Sequence, residues 1–134
     1  MSRTSTPVFL PEKLARRIAE YFPQLDLDTI QFRLCRRIPF SWLAGGKRFA
    51  GLTLWNRVYL LEDHWPPEPL TRVNVELIVH ELAHVLQYRR NPLLFPLRYV
   101  IDHFRYGYES NPAEVEARET ARSVAESFFR ATRL

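Results

Sequence analysis

The residues of this chain that could do chemistry are concentrated in one short segment, His80-Glu81-Leu82-Ala83-His84. Residues four apart lie on the same face of an α-helix, so the two imidazoles can reach a single metal ion. Glu81 lies beside that face, where a base must be in order to take a proton from an attacking water molecule. The segment therefore predicts two metal ligands and a general base.

The surroundings of this segment are mostly apolar, over residues 75–79 before it and 85–88 after it. A helix that is apolar almost all round is buried in its protein. Unpaired histidine and glutamate side chains are costly in such a position, and a shared divalent cation removes that cost. The alternative interpretation is a helix with two partly buried histidines and a solvated glutamate.

A third ligand must come from another part of the chain, because catalytic zinc sites usually have three protein ligands and one open position. Glu114 is the leading candidate. Asn111 and Pro112 are typical of a helix start, which places Glu114 in the first turn. Helical periodicity puts Glu114 on the apolar face and Glu116 on the polar face. The alternative for Glu114 is a capping box, in which its carboxylate bonds back to Asn111.

Together these residues resemble the gluzincin metallopeptidases, which carry H-E-x-x-H on one helix and a glutamate on a later helix. The chain is similar, more narrowly, to minimal zincin domains of the minigluzincin kind and to small bacterial zincin-like domains of unknown function. Three stretches carry the resemblance, at residues 50–60, 80–88 and 106–117.

The resemblance implies a zinc ion bound by His80, His84 and Glu114, with Glu81 as the general base of peptide-bond hydrolysis. It also implies a zincin-like fold, in which a short, twisted, mostly antiparallel sheet packs on the buried H-E-x-x-H helix. In that fold an edge strand of the sheet lines the cleft, and further helices follow towards the C-terminus.

One position departs from the gluzincin pattern. Many gluzincins have an aspartate four residues after the glutamate ligand, and this chain has Arg118 there. The group that orients a ligand histidine must therefore come from elsewhere. Glu119, Asp102 and a backbone carbonyl are the candidates.

A peptidase also needs a donor that stabilises the oxyanion of the transition state. His103, Tyr106 and Tyr108 are the candidates, and Tyr108 is the best placed because it lies six residues before Glu114. A peptide or protein substrate in extended conformation would pair with an exposed strand edge within residues 50–54. Two histidines and a carboxylate also suit iron or manganese, so zinc is the first expectation among divalent ions.

Length and composition predict one domain over residues 1–134, with 46% hydrophobic residues to build its core. The lone cysteine, Cys35, excludes an intramolecular disulfide. No apolar run reaches transmembrane length, and the N-terminal segment has no signal-peptide pattern. We therefore expect a cytoplasmic protein without a membrane partner.

The basic charge does not by itself predict nucleic-acid binding. The formal net charge is +4, and 17 of the 19 basic residues are arginine. These arginines are scattered along the chain, without Lys/Arg runs or a nucleic-acid motif, so a solvated basic surface is the better interpretation.

The order of helical and strand patterns predicts an α+β protein rather than an alternating parallel fold. The first half combines a helix over residues 11–22, a strand within 25–38, a turn at 41–47 and a hairpin formed by 49–55 and 57–61. That hairpin could instead be one bent strand. The second half consists of an irregular segment at 62–70 and helices over 71–90, 93–104 and 112–131, with a turn at 106–108.

Two functions fit these patterns. The first is a zinc-dependent peptidase, and the second is a catalytically inactive zincin-fold metal-binding interaction module. Residues 93–95 would serve a partner well in the second case. Glu81 favours the first, because a purely structural zinc site needs no base and is usually closed by four ligands, most often including cysteine.

Overall fold

The computed structural model describes residues 5–38, 50–65, 67 and 70–131. In these ranges the chain is an α+β protein with a four-stranded mixed sheet and four α-helices, which confirms the predicted class. The elements in chain order are β1 (Thr6–Val8), α1 (Glu12–Ala19), β2 (Gln31–Cys35), β3 (Gly51–Leu54), β4 (Arg57–Leu61), α2 (Arg72–Arg90), α3 (Leu94–Ser110) and α4 (Pro112–Ala131).

The strands follow one another across the sheet in the order β1-β2-β4-β3. The predicted hairpin is confirmed: β3 and β4 are antiparallel and are joined at Trp55 and Asn56. β1 and β2 are antiparallel as well, whereas β2 and β4 are parallel, with Phe32 opposite Val58. The sheet is therefore mixed, with two antiparallel pairings and one parallel pairing. This order leaves β3 at one edge of the sheet and β1 at the other.

Two features of the sheet differ from the sequence prediction. β1 was not predicted, since it has only three residues and includes Pro7, which lacks an N–H and suits an edge strand. β2 is shorter than the predicted strand, because Leu27–Thr29 form a 3₁₀ turn ahead of it. The side chain of Asp26 starts this turn by accepting the N–H of Asp28 at 3.0 Å.

The helical segment after α2 is longer than predicted, since it continues to Ser110. Gly107 interrupts it with φ 80° and ψ 172°, a conformation that favours glycine. The turn predicted at residues 106–108 is therefore a break inside the segment. The turn predicted at residues 41–47 lies outside the described residues.

The main core lies between the sheet, α1, α2 and α4. Ile18 of α1, Val58 of β4, Val79 of α2 and Phe128 of α4 are all fully buried in it. α2 is buried over much of its length, as its apolar pattern predicts. In the described ranges no helix combines the length and hydrophobicity that a membrane span requires.

Close packing of α4 on α2 determines where the site residues lie. Ala117 and Ala121 are buried on α4, and such small side chains allow two helices to approach closely. The start of α2 is fixed by Thr71, whose hydroxyl accepts the N–H of Asn74 at 3.2 Å. The predicted ligands are distributed over these two helices, so their separation depends on this contact.

Replacing Ala117 by leucine should push α4 away from α2. We expect Ala117→Leu to lower the free energy of unfolding by about 1–3 kcal/mol, because the contact has no room for a larger side chain. Zinc affinity should fall as well. Urea unfolding and zinc titration measure the two effects, and Ser123→Leu on the exposed face of α4 is the control. Equal free energies of unfolding and equal zinc affinities in the two variants would show that the contact between α2 and α4 tolerates a larger side chain.

Candidate metal centre

Three potential metal ligands converge between α2 and α4. His80, His84 and Glu114 each offer one ligand atom, and these atoms all lie within 4.8 Å of one another. Nε2 of His80 lies 2.8 Å from Oε1 of Glu114, and Nε2 of His84 lies 3.2 Å from the same oxygen. Helix periodicity alone puts the histidines together, whereas only the packing of α4 brings in the glutamate.

The spacing and chemistry of these donors fit a divalent ion. Donors that share a tetrahedral Zn²⁺ lie roughly 3.3 Å apart, because the bonds are about 2.0–2.1 Å long. The two histidine–glutamate distances are shorter than this by about half an ångström or less. An ion would therefore require a small outward shift of the carboxylate, within a donor set whose atoms lie within 4.8 Å of one another. The donor set does not distinguish zinc from iron or manganese.

Gln87 fixes the orientation of the His84 ring. The amide nitrogen of Gln87 donates to the Ala113 carbonyl at 3.0 Å and to Oε1 of Glu116 at 2.8 Å. Its amide oxygen must then accept from Nδ1 of His84, at 2.7 Å, so this ring nitrogen carries the proton. Nε2 consequently faces the cluster as a potential ligand atom. Glu116 is held in turn by Arg90 at 3.2 Å.

None of the groups that were predicted to orient a ligand histidine is the partner of Nδ1 of His84. Glu119 and a backbone carbonyl were candidates, but Nδ1 of His84 contacts the Gln87 amide instead. The third candidate, Asp102, lies 3.9 Å from Arg98. Gln87 is three residues after His84 on the same helix, and this spacing is the sequence signal that could have identified it. Arg118, at the position of the usual aspartate, donates to the backbone carbonyl of Glu109.

The capping alternative for Glu114 does not describe its contacts. Asn111 does cap α4, since its side-chain oxygen accepts the N–H of Ala113 at 3.0 Å. The backbone N–H of Asn111, which a capping box would direct to Glu114, donates to the Tyr108 carbonyl at 3.3 Å. The Glu114 carboxylate therefore points at the histidines.

Tyr99 contributes to the cluster from α3, and the sequence did not indicate it. Its hydroxyl donates to Oε2 of Glu114 at 2.5 Å. Burial and the Glu114 carboxylate hold the pKa of Tyr99 well above its usual range, and the same two causes raise the pKa of Tyr108. Both hydroxyls therefore stay protonated at neutral pH. No local pattern predicts the Tyr99 contact, because it depends on how α3 lies against α4.

Glu114 is ionised although its side chain is buried. Burial alone would raise the pKa of Glu114, but hydrogen bonds from His80 and His84 hold it well below its usual range. Burial alone would lower the pKa of His84, but Glu114 and Glu81 raise it to about 9. The ionised carboxylate suits a cation, whereas His84 carries an additional proton at neutral pH that a bound metal ion would have to displace.

Glu81 is held against the edge strand. It is buried, and the Thr53 hydroxyl lies 2.9 Å from its Oε1 and 3.0 Å from its backbone carbonyl. A Cβ placed on Gly51 would lie 3.0 Å from Oε2 of Glu81, so glycine permits β3 to approach this closely. Burial raises the pKa of Glu81 despite the opposing effect of the two histidines.

Two cavities meet at His80 and Glu81, beside the start of β3. Both border Gly51, His80, Glu81 and Tyr108. The first has a volume of about 220 Å³ and lies between β3 and α3, whereas the second has about 430 Å³ and lies towards α4. Together they form a cleft with Glu81 at its centre.

The three predicted oxyanion donors differ in whether they border the cleft. Tyr108 borders both cavities, whereas His103 and Tyr106 are not among the residues that line either one. Tyr106 is half exposed on α3. The two cavities therefore favour Tyr108 among the three candidates.

Comparisons of this chain with protein-family profiles, with curated proteins and with solved structures found no match. The assignment of a function therefore depends on the cluster, the buried Glu81 carboxylate and the cleft.

Replacing Gln87 by leucine tests the orientation of His84. Gln87→Leu keeps a similar shape but removes the partner of the Nδ1 proton. We expect metal affinity to fall about 10- to 100-fold, as for other outer partners of histidine ligands. Zinc titration with a competing chelator measures this loss, and Gln24→Leu at an exposed position is the matched control. Wild-type affinity in Gln87→Leu would show that the amide does not orient the ring.

Proposed function

We propose that this protein is a zinc-dependent metallopeptidase with His80, His84 and Glu114 as ligands and Glu81 as general base. One observation carries the proposal: a buried carboxylate borders the cleft directly beside a cluster of two histidines and a glutamate. The resemblance to gluzincins supports the same assignment. We further infer a zincin-like arrangement, in which the edge strand β3 lies over the histidine helix and the glutamate comes from a later helix.

In this proposal the zinc ion and the side chains of the protein supply different parts of the reaction. A zinc ion supplies a Lewis acid that polarises the scissile carbonyl and lowers the pKa of a water molecule. Glu81 accepts the proton of the attacking water and delivers it to the leaving amine. Burial raises the pKa of Glu81, and Thr53 holds its carboxylate in place.

Two tyrosines have different roles in this proposal. Tyr108 borders both cavities and keeps its proton at neutral pH, so it would exchange its hydrogen bond with Glu114 for one to the oxyanion of the transition state. Tyr99 borders only the smaller of these two cavities and donates to Glu114, so it positions the carboxylate ligand. The proposal therefore keeps the sequence-based choice of Tyr108.

An extended peptide is the substrate form that the cleft favours. β3 lies at the edge of the sheet, so its outer side can form main-chain hydrogen bonds with an added strand. Leu52, Leu54 and Phe95 make one end of the cleft apolar. Arg118 and Arg122 lie at the other end and would favour an acidic side chain there.

One observation favours the second function, an inactive metal-binding interaction module. The outer face of α3 exposes several large apolar side chains, as an interaction surface does. Glu81 distinguishes the two functions, because an interaction module has no use for a buried base beside the metal.

Metal content should depend on Glu114 and not on Glu116. We expect about one zinc per chain in the wild type and in Glu116→Gln, and none in Glu114→Gln, because only Glu114 contacts both histidines. Plasma mass spectrometry on protein purified without an affinity-tag metal measures this content. The reverse pattern would transfer the ligand role to Glu116.

Glu81→Gln should keep zinc and lose cleavage. The amide preserves the shape but cannot accept the proton, so we expect turnover to fall about 10²- to 10⁴-fold. A library of quenched fluorescent peptides measures cleavage, with Glu126→Gln on the exposed face of α4 as the matched control. Unchanged cleavage by Glu81→Gln would remove its role as base. Zinc binding by the wild type without any cleavage would favour the interaction module.

A further inference from the structure

The outer face of α3 and the residue before it form an exposed apolar surface, which we call the α3 ridge. Its six residues have between 51% and 83% of their surface exposed. They are Leu93, Leu94, Leu97, Val100, Ile101 and Phe104.

The ridge is a continuous stripe because its residues recur at helical spacing. The solvent side of a helix is normally polar, yet α3 has no buried residue and carries its large aliphatic side chains outward. Its inner side is occupied by Phe95 and Tyr99, which line the cleft, and Val100 at the margin of the ridge borders the same cavity. In the part of the chain that the structure describes, the ridge stays open to solvent.

Positive charge runs along one side of the ridge. Arg98 and Arg105 are seven residues apart, so they lie on the same line of the helix, next to Leu94 and Ile101. The Arg98 side chain is 83% exposed, and its contact with Asp102 is long, at 3.9 Å. Both guanidinium groups are therefore available to an anionic surface.

Aromatic residues lie near both ends of the ridge. Trp55 is about half exposed, and its indole N–H donates to the Pro92 carbonyl at 3.0 Å, just before the ridge begins. Tyr106 is half exposed two residues after Phe104, on the other side of the helix, with the Arg105 guanidinium 5.5 Å from its ring centre. Such amphipathic rings are enriched where proteins meet the headgroup layer of a membrane.

We propose that the α3 ridge binds the surface of an anionic lipid bilayer, with its apolar side chains among the headgroups and its arginines on lipid phosphates and carboxylates. A helix with an apolar stripe, flanking arginines and exposed Leu, Phe and Trp is the type that lies in the membrane interface. The sequence predicted no membrane partner because it contains no spanning segment, but an interfacial helix does not need one. The proposal uses none of the metal ligands, so it does not depend on the proposed peptidase.

A second copy of the chain fits the ridge less well. Two copies joined through this surface would bring both pairs of Arg98 and Arg105 to one apolar seam, where like charges repel. Asp102 and Glu116 border the same cavity as Arg98, but their carboxylates are already directed to Arg98 and Arg90 respectively. An anionic bilayer attracts the same arginines, so charge complementarity favours the lipid.

Vesicle co-sedimentation of the full chain tests the proposal. We expect binding to vesicles of phosphatidylcholine with phosphatidylserine, and much weaker binding to phosphatidylcholine alone or at high salt. Leu97→Ser combined with Phe104→Ser should weaken binding roughly tenfold or more. Arg98→Gln and Arg105→Gln should each weaken it roughly fivefold. Phe9→Ser is the matched control, since Phe9 is 91% exposed next to β1, at the sheet edge opposite β3.

Several results would overturn the proposal. One is that the wild type binds neither vesicle type. Another is that Phe9→Ser loses as much binding as the variant with Leu97→Ser and Phe104→Ser. A concentration-dependent dimer that the serine variant abolishes, without vesicle binding, would assign the ridge to a second copy. Capture of an acidic protein through the ridge, again without vesicle binding, would assign it to a protein partner. Circular dichroism shows whether the double serine variant folds. If it does not fold, the two arginine variants test the proposal.

Discussion

The packing of α4 against α2 is the contact on which the rest of the site depends. It brings a glutamate to two histidines that lie about thirty residues earlier in the chain, and it does so because Ala117 and Ala121 leave room for close approach. The same contact buries Glu114, and a buried carboxylate is strongly destabilising unless it is paired. His80 and His84 provide that pairing, so the core and the candidate site form one interdependent arrangement.

The cleft beside this contact is closed by β3 on one side and by α3 on the other. β3 can lie against Glu81 because Gly51 has no Cβ, and Thr53 then fixes the carboxylate. α3 directs Tyr99 inward to Glu114 and the α3 ridge outward. One helix therefore borders both the cleft and an exposed apolar surface, so a ligand on the ridge would lie next to the cleft.

Much of the fold follows from local patterns. The caps at Thr71 and Asn111 mark the starts of α2 and α4, because the side chain of each satisfies a free backbone N–H. The β3–β4 hairpin is likewise local. β1 and the parallel pairing of β2 with β4 are not, since a three-residue strand has no measurable period and strand order depends on contacts between distant segments.

The sequence by itself determined the relation of His80, Glu81 and His84, because helix geometry fixes residues within one turn of each other. It also placed Glu114 on the inward face of its helix. Only the tertiary structure decided that this face meets the histidines, that Gln87 reaches across to α4, and that Tyr99 bonds to Glu114. These contacts join different helices, and their geometry depends on how the helices cross, which local periodicity does not specify.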